Sequence, residues 1–319
     1  MTQRGVFLDL ETVDRDDLDL SNLRAALPHW TFHAFTEPRD VAARLEGAQV
    51  AVTNKVVLDE AALAAAPELR LICVAATGTN NVDLEAARRR DITVCNVRDY
   101  ATAAVAQHVF ALILSLTTRL NAYQRDVAEG RWQASRQFCL LDHPIRELAG
   151  LTLGIIGHGV LGQGTAQAAR AFGLQVAVAE SLVSPGSDPD RWPLERLLAE
   201  ADIISLHCPL TERTHHLIDA EALAAMKSDA LLINTARGAI VDNAALAAAL
   251  REGTIGGAGI DVLEQEPPPA DHPLLAPDIP NLIVTPHIAW AAREARQRVL
   301  DQVEENIRAY IAGAPRHVV

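Results

Sequence analysis

The chain has 319 residues, of which 49% are hydrophobic and 22% charged, and carries a formal net charge of −13 at pH 7. That length is enough for two domains of ordinary size, each with its own core. The acidic balance argues against a nucleic-acid surface, which needs clustered Lys and Arg. Two basic runs, Arg88-Arg89-Arg90 and Arg293 to Arg298, lie on helical patterns with acids nearby and read as solvated faces. The N-terminus lacks a basic region followed by an apolar stretch and a cleavage site, and the apolar stretches are interrupted well before bilayer length. Cys73, Cys95, Cys139 and Cys208 show no Cys-x-x-Cys spacing. Cys73 and Cys95 fall inside apolar runs where a reduced thiol packs as a small hydrophobe, so a reducing cytoplasm is expected.

Strand-like and helix-like segments alternate from the start. Gly5–Leu8, Thr31–His33, Gln49–Thr53, Arg70–Val74 and Ile92–Cys95 read as strands. Leu18–Leu27, Asp40–Leu45, Asp59–Ala66 and Leu84–Arg90 read as helices between them. This alternation implies an α/β fold with a parallel sheet covered on both faces. The small-residue loop Ala75 to Asp83 falls at the carboxyl end of a strand, the edge where open α/β sheets bind ligands. Its exposed backbone N–H groups suit a carboxylate. It reads equally well as a plain strand-to-helix connection with Asn81 or Asp83 as N-cap.

Asp99 to Leu120 carries one long helical pattern through Val105, Val109, Leu112 and Leu116, a natural crossover between two α/β units. Beyond it, Gly130 opens an irregular stretch to Pro144 that is long for a loop in a compact domain. Trp132, Phe138 and Cys139 on this arm suggest a partner surface, and a homodimer through residues 122–144 is expected. An arm folded back on its own subunit is the alternative.

An apolar run then ends in Gly157-His158-Gly159-Val160-Leu161-Gly162, the Gly-x-Gly-x-x-Gly pattern, and an Ala-rich helical stretch, Thr165 to Phe172, follows. Gly157 permits a tight strand-to-helix turn, Gly159 lets backbone approach a pyrophosphate, and Gly162 lets the helix pack close to the sheet. Unpaired N–H groups at the helix start face the phosphates. The next apolar run, Gln175 to Ala179, ends in Glu180, 180 − 162 = 18 residues past the last glycine. A carboxylate there accepts hydrogen bonds from the adenosine ribose hydroxyls. Strand, helix and acid together make dinucleotide binding the expected function of this half. Ser181 follows the acid where an Arg would pair with a 2′-phosphate, so NAD(H) is expected over NADP(H). Arg170 and Arg191 lie elsewhere in sequence and are the alternative partners for such a phosphate.

Alternation resumes with strands at Asp202–Leu206, Ala230–Ile233, Gly257–Ile260 and Leu282–Thr285, a helix at Asn243–Leu250 and a final amphipathic helix at Glu294–Ile311. Three polar residues fall just past strand ends. They are Arg237 in Asn234-Thr235-Ala236-Arg237-Gly238, Glu266 before Pro267-Pro268-Pro269, and His287 in Thr285-Pro286-His287. A carboxylate beside an imidazole favours the protonated ring and fixes it for proton transfer. An Arg offers a planar fork of donors to a substrate carboxylate. Singly, such loop residues are usually solvated. Their joint placement at one sheet edge is what makes them candidates.

The ordered set Gly157–Gly162, Asn234–Gly238, Gly259-Ile260-Asp261-Val262, Gln265-Glu266-Pro267 and Thr285-Pro286-His287-Ile288 resembles the motifs of the D-isomer-specific 2-hydroxyacid dehydrogenases over essentially the whole chain. Ala75–Asp83, Asn96–Thr102, Gly130–Cys139 and His287–Trp290 are similar to the glycerate dehydrogenase, or hydroxypyruvate reductase, branch. The resemblance implies two doubly wound parallel-sheet domains with the active site in the cleft between them. One is a flavodoxin-like substrate domain of residues 1–98 plus 288–319. The other is a Rossmann NAD-binding domain of residues 99–287. It implies Arg237, Glu266 and His287 as the catalytic set, with His287 as the acid/base. Thr77, Gly78 and Thr79 would complete the carboxylate site with Arg237 and His287. Cys208, Pro209, Thr214, Thr235 and Ala236 would line the cofactor, and Asp261 would meet the nicotinamide carboxamide.

The implied activity is NAD(H)-dependent reduction of hydroxypyruvate and glyoxylate, and its reverse. Another short D-2-hydroxy acid is an alternative. Phosphoglycerate is less expected because no regulatory domain follows Val319. A nucleotide-sensing corepressor of the same fold is the alternative from a different class, though it would not need all three catalytic residues. No metal, nucleic acid or membrane partner is expected.

Overall fold

The structure, a computed structural model, describes residues 3–182, 186 and 188–319. The chain divides into two compact units, Met1–Ala101 with Ala291–Val319, and Thr102–Trp290.

In the first unit, β1 (Arg4–Phe7), β2 (His29–Phe32), β3 (Val50–Thr53), β4 (Leu71–Val74) and β5 (Thr93–Cys95) form an all-parallel sheet. Its order, β2-β1-β3-β4-β5, is that of the flavodoxin-like doubly wound fold. Side chains alternate between two cores, as a strand period of two requires. Ala51, Ile72, Val74 and Val94 face helices Val41–Leu45, Glu60–Ala64 and Leu84–Arg89. Val50, Val52, Leu71, Cys73 and Cys95 face the opposite side, with Leu23 of helix Ser21–Ala26 and the apolar stripe Val299, Leu300, Val303 and Ile307 of helix Arg293–Ile311. Each fully buried aliphatic side chain contributes roughly 1.5–3 kcal/mol relative to exposure. That stripe is why the last segment of the chain returns to the first unit.

The two basic runs are tied down within this unit. Arg89 and Arg90 both pair with Glu60, and Arg296 grips Asp17 at 2.6 and 2.8 Å while donating to the Val13 carbonyl.

The second unit holds β6 (Thr152–Ile156), β7 (Gln175–Val178), β8 (Ile203–Leu206), β9 (Leu231–Asn234), β10 (Gly257–Ile260) and β11 (Leu282–Val284). They are parallel in the order β11-β10-β9-β8-β6-β7. A single parallel bridge, Ala179 to Trp192, continues the sheet beyond β7, where the Rossmann order places a further strand. The order reverses between β6 and β8, so the crevice at their carboxyl ends is the ligand edge of this sheet.

The long helical pattern of Asp99 to Leu120 forms helix Thr102–Thr117, and a second helix, Leu120–Ala128, follows it at a 60° bend. Arg119 breaks the run with a left-handed φ of 55°. This pair has the length and composition of a broken membrane span, but Val105, Val109, Phe110, Leu112 and Ile113 are buried in the core. Among the described residues, no single helix is long and apolar enough to cross a bilayer.

Residues 129–151 run without helix or strand. The arm is rooted at buried Asp126, which accepts from Arg131 at 2.6 Å and pairs with His143 at 2.8 Å. Its outer residues Phe138 and Leu141 are 89% and 82% exposed.

Candidate active site

At the carboxyl end of β6 the chain turns through Gly157, whose φ is +95°. A Cβ there would lie 2.4 Å from the backbone nitrogen of Cys208, so both the dihedral and the packing admit only glycine. Gly159, the N-cap of helix Val160–Ala171, is different. A Cβ on it would meet nothing within 4 Å, and its φ of −74° suits any residue. The open space above Gly159 and the helix-start N–H groups of Val160, Leu161 and Gly162 suit an anion such as a phosphate.

His158 sits within the field of Arg191 and Arg170. Burial, and then those two charges, push its pKa down. Glu180 donates its backbone N–H to the Trp192 carbonyl at 2.8 Å, which fixes the end of β7 beside this loop. Among the described residues no ion pair engages its carboxylate.

At the end of β9, Asn234 closes the next turn with its own side chain. Its Nδ2 donates to the Arg237 carbonyl at 2.9 Å, and its Oδ1 accepts from Ala236 N at 3.0 Å. Gly238 then backs onto Leu263 and Glu264 so closely that a Cβ would stand 1.9 Å from the Leu263 carbonyl carbon. This contact explains the Asn-Thr-Ala-Arg-Gly pattern and brings the turn of Arg237 against the turn that leads to Glu266. Arg237 itself is exposed, folds onto the Ala236 carbonyl at 2.7 Å, and makes no ion pair among the described residues.

Beyond β11, His287 adopts a left-handed φ of 56°, which a non-glycine residue holds only when its surroundings impose it. The surroundings are visible. His287 N donates to the carbonyls of Asp261 and Thr285 at 2.8 and 3.0 Å. The ring Nδ1 meets Glu266 Oε2 at 2.6 Å, and Glu266 Oε1 accepts from Leu263 N at 2.9 Å. One carboxylate thus orients the imidazole while being oriented by its own turn.

Asp261, 1% exposed, holds the rest of the loop. Its Oδ1 accepts from Thr285 Oγ1 at 2.6 Å and Ile288 N at 2.9 Å, and its Oδ2 from Ala289 N at 2.8 Å. His108 Nε2, from helix Thr102–Thr117, completes the cluster at 3.0 Å from Thr285 Oγ1 and 3.4 Å from Asp261 Oδ1. The side chain expected at the nicotinamide carboxamide is therefore engaged in holding the His287 loop. Sequence reasoning passed over both Thr285 and His108 as parts of this anchor. Thr285 opens the Thr285-Pro286-His287-Ile288 motif, whereas His108 lies 177 residues away with no signal to link them.

The remaining candidates lie at the same sheet edge or in the first unit. Cys208 is buried beneath Gly157, and burial raises its thiol to about 11. The Thr214 hydroxyl locks its own turn, accepting from Thr211 N and donating to the Pro209 carbonyl, each at 2.7 Å. Thr235 is buried, and its Oγ1 has no hydrogen-bond partner among the described residues. A buried hydroxyl left unpaired costs free energy, so this orphan at the β9 edge, with the open cradle over Gly159, fits a bound dinucleotide.

In the first unit, Thr77 donates to the Val97 carbonyl at 2.9 Å and accepts at its own carbonyl from Asn96 at 2.7 Å. Asp83 caps helix Leu84–Arg89, while Asn81 donates to the Val56 carbonyl. Gly78 and Thr79 stay half-buried between these ties.

Comparison with known proteins agrees with this geometry. Residues 110–289 match the family model described as "D-isomer specific 2-hydroxyacid dehydrogenase, NAD binding domain". The glycerate dehydrogenase of Methylorubrum extorquens is 45% identical over 100% of this chain and 99% of its own length. The hydroxypyruvate reductase of Blautia hydrogenotrophica is 34% identical over 98% of each. Among solved structures, the TT0316 protein from Thermus thermophilus superposes with a TM-score of 0.87 at 36% identity, covering 99% of this chain and 100% of that one. The chain belongs to the D-isomer-specific 2-hydroxyacid dehydrogenases, and residues 110–289 are its NAD-binding domain.

Proposed function

We propose that this enzyme interconverts hydroxypyruvate with D-glycerate, and glyoxylate with glycolate. Bound NAD(H) supplies a hydride to C2 of the 2-oxo acid, or accepts it in the reverse direction. The carrying observation is the His287–Glu266 couple at 2.6 Å, which uses Nδ1 for orientation and leaves Nε2 to exchange the proton. His287 gives that proton to the C2 oxygen during reduction and removes it during oxidation, with Glu266 stabilising the imidazolium. Arg237, free of any ion pair among the described residues, binds the substrate carboxylate and polarises the keto oxygen. Thr77, Gly78 and Thr79 are assigned to the same carboxylate on the resemblance alone, and the first unit takes the substrate role. The full-length similarity to a glycerate dehydrogenase and a hydroxypyruvate reductase supports the choice of acid.

Glu180 accepts from the adenosine ribose hydroxyls and repels a 2′-phosphate, so NADH is preferred to NADPH. Arg191 lies near the loop, but Asp188 engages it at 3.2 Å. Cys208, Pro209, Thr235 and Ala236 line the cofactor, and Thr214 shapes that wall by locking the Thr211–Thr214 turn. The protein pairs as a homodimer through its second unit and the 122–144 arm, on which Trp132, Phe138 and Leu141 are exposed. Four free cysteines support residence in the reducing cytoplasm.

The test is a spectrophotometric panel of 2-oxo acids with NADH and NADPH. Hydroxypyruvate and glyoxylate should turn over fastest. Zero turnover on every acid would defeat the enzyme reading, and NADH binding without turnover would favour a sensor. Comparable efficiency with NADPH would overturn the cofactor preference. His287→Ala and Arg237→Ala should each cost roughly 100-fold or more in turnover while NADH still binds. A near-normal rate in either variant would remove that residue from the mechanism.

A further inference from the structure

The turn Thr211–Leu217 and the turn before Glu266 place three metal-capable side chains together. His215, His216 and Glu264 each offer one ligand atom, and these atoms all lie within 4.8 Å of one another. The two imidazoles stack with centroids 4.1 Å apart and planes 26° open. His216 Nε2 stands 4.0 Å from Glu264 Oε2, too far for a hydrogen bond. That nitrogen is shielded from solvent and has no hydrogen-bond partner among the described residues. An unpaired ring nitrogen facing a second imidazole and a carboxylate has the makings of a coordination site.

The backbone supports the arrangement. His216 has a left-handed φ of 49°, and its N–H donates to the Ala239 carbonyl at 2.8 Å. His215 N donates to the Thr211 carbonyl at 2.9 Å, within the turn locked by Thr214. Glu264 N lies against Gly238, so close that a Cβ on Gly238 would be 2.2 Å away. Both turns are therefore held against residues 238–239, and ring rotation with a small side-chain shift brings the donors to bonding distance. His215 and Glu264 are exposed, which gives an ion a way in.

We propose that His215, His216 and Glu264 bind one divalent transition-metal ion, with Zn2+ the best match, separately from the hydride-transfer site. Two imidazoles and one carboxylate form a borderline set that Zn2+ and Co2+ accept at about 2.0–2.2 Å, with water completing the shell. The all-oxygen preference of Mg2+ and Ca2+ excludes those ions. The ion clamps the Thr211–Leu217 turn to the turn before Glu266.

The experiment titrates the full-length protein, freed of metal by chelation, with ZnCl2 by calorimetry, and with CoCl2 by visible absorption. The result expected is one saturable site in the micromolar range and a thermal midpoint that rises with Zn2+ and falls back with EDTA. His215→Ala and Glu264→Gln should fold normally and each weaken the site at least about tenfold, with NADH turnover in metal-free buffer unchanged. His287→Ala should keep the site, because the His287–Glu266 pair is a separate His–carboxylate couple of this unit. Absence of saturable Zn2+ binding would overturn the proposal. So would affinity unchanged in both His215→Ala and Glu264→Gln, or lost in His287→Ala.

Discussion

Two loops in the second unit do comparable jobs by opposite means. The loop Gly157–Gly162 is shaped by the absence of side chains. A left-handed glycine lies against the Cys208 backbone, and open space remains over Gly159. The loop Thr285–Ala289 is shaped by a buried charge. Asp261 draws one hydroxyl and two backbone N–H groups onto its carboxylate and so holds His287 at a φ of 56° that the residue would not choose alone. The first device is steric, and its glycines stand at fixed spacing in one short stretch. The second is electrostatic and spans distant segments. A steric device tolerates no change at its centre, whereas an electrostatic one weakens in steps.

The largest effect should come from Gly157→Ala. The added Cβ would meet Cys208 N at 2.4 Å at a φ of +95°, so overpacking and dihedral strain coincide. A cost of about 4 kcal/mol is expected, read as a fall in thermal midpoint together with lost NADH binding. Gly159→Ala separates the two roles of the loop. Nothing within 4 Å opposes its methyl group, so stability should stay within about 0.5 kcal/mol of the parent. NADH affinity should nevertheless fall about tenfold or more, as the methyl fills the phosphate approach. Equal NADH affinity in Gly159→Ala would mean the cofactor does not pass over this residue.

Asp261→Asn probes the other loop. The amide keeps the shape but replaces one acceptor by a donor, and either orientation opposes an N–H or hydroxyl to it. About 2–4 kcal/mol of stability should go with it, the range for a buried charge-assisted network broken on one side. If Asp261 acts by holding His287, kcat falls while the NADH dissociation constant stays near its parent value. If it acts by meeting the nicotinamide carboxamide, NADH affinity falls first. Thr285→Val removes only the hydroxyl and should follow the same pattern at about 1 kcal/mol.

This contrast also explains how much the sequence disclosed. Strand and helix alternation is written in periodicity, and each strand from β1 to β11 lies within a residue or two of its apolar run, because a buried parallel strand needs side chains that suit both its faces. The glycine loop is legible because sterics leave one residue type at fixed spacing. Motif resemblance pointed to Arg237, Glu266 and His287, but not to what holds them. Asn234 closing its own turn and Gly238 packed on Leu263 give the Asn-Thr-Ala-Arg-Gly pattern a cause that only coordinates reveal. The helix Leu120–Ala128, beyond the left-handed Arg119, escaped notice because its mostly polar residues carry no apolar stripe. His108 carries no local signal, since its partners lie on the far side of the sheet sequence.

The last expected effect is absent at neutral pH and appears only in acid, and it should separate the loops again. His207 lies under the glycine loop: its N–H donates to the Ile156 carbonyl at 2.7 Å, and its ring Nε2 pairs with Ser205 Oγ at 2.9 Å. Burial pushes its pKa down from 6.5 to about 4. Between those values the unfolded chain binds a proton that the folded chain refuses, so stability rises with pH across this window. The contribution is complete above about 6.5 and is lost as pH falls through 6.5 toward 4. His207→Gln, neutral throughout and able to keep a hydrogen bond to Ser205, should flatten that part of the stability profile while leaving kcat at neutral pH unchanged. Thr285→Val should instead lower the profile without altering its slope in that window, because it removes a hydroxyl rather than a titrating group. A slope between pH 4 and 6.5 that is the same with and without the imidazole would show that His207 does not carry the acid sensitivity of the region beneath the glycine loop.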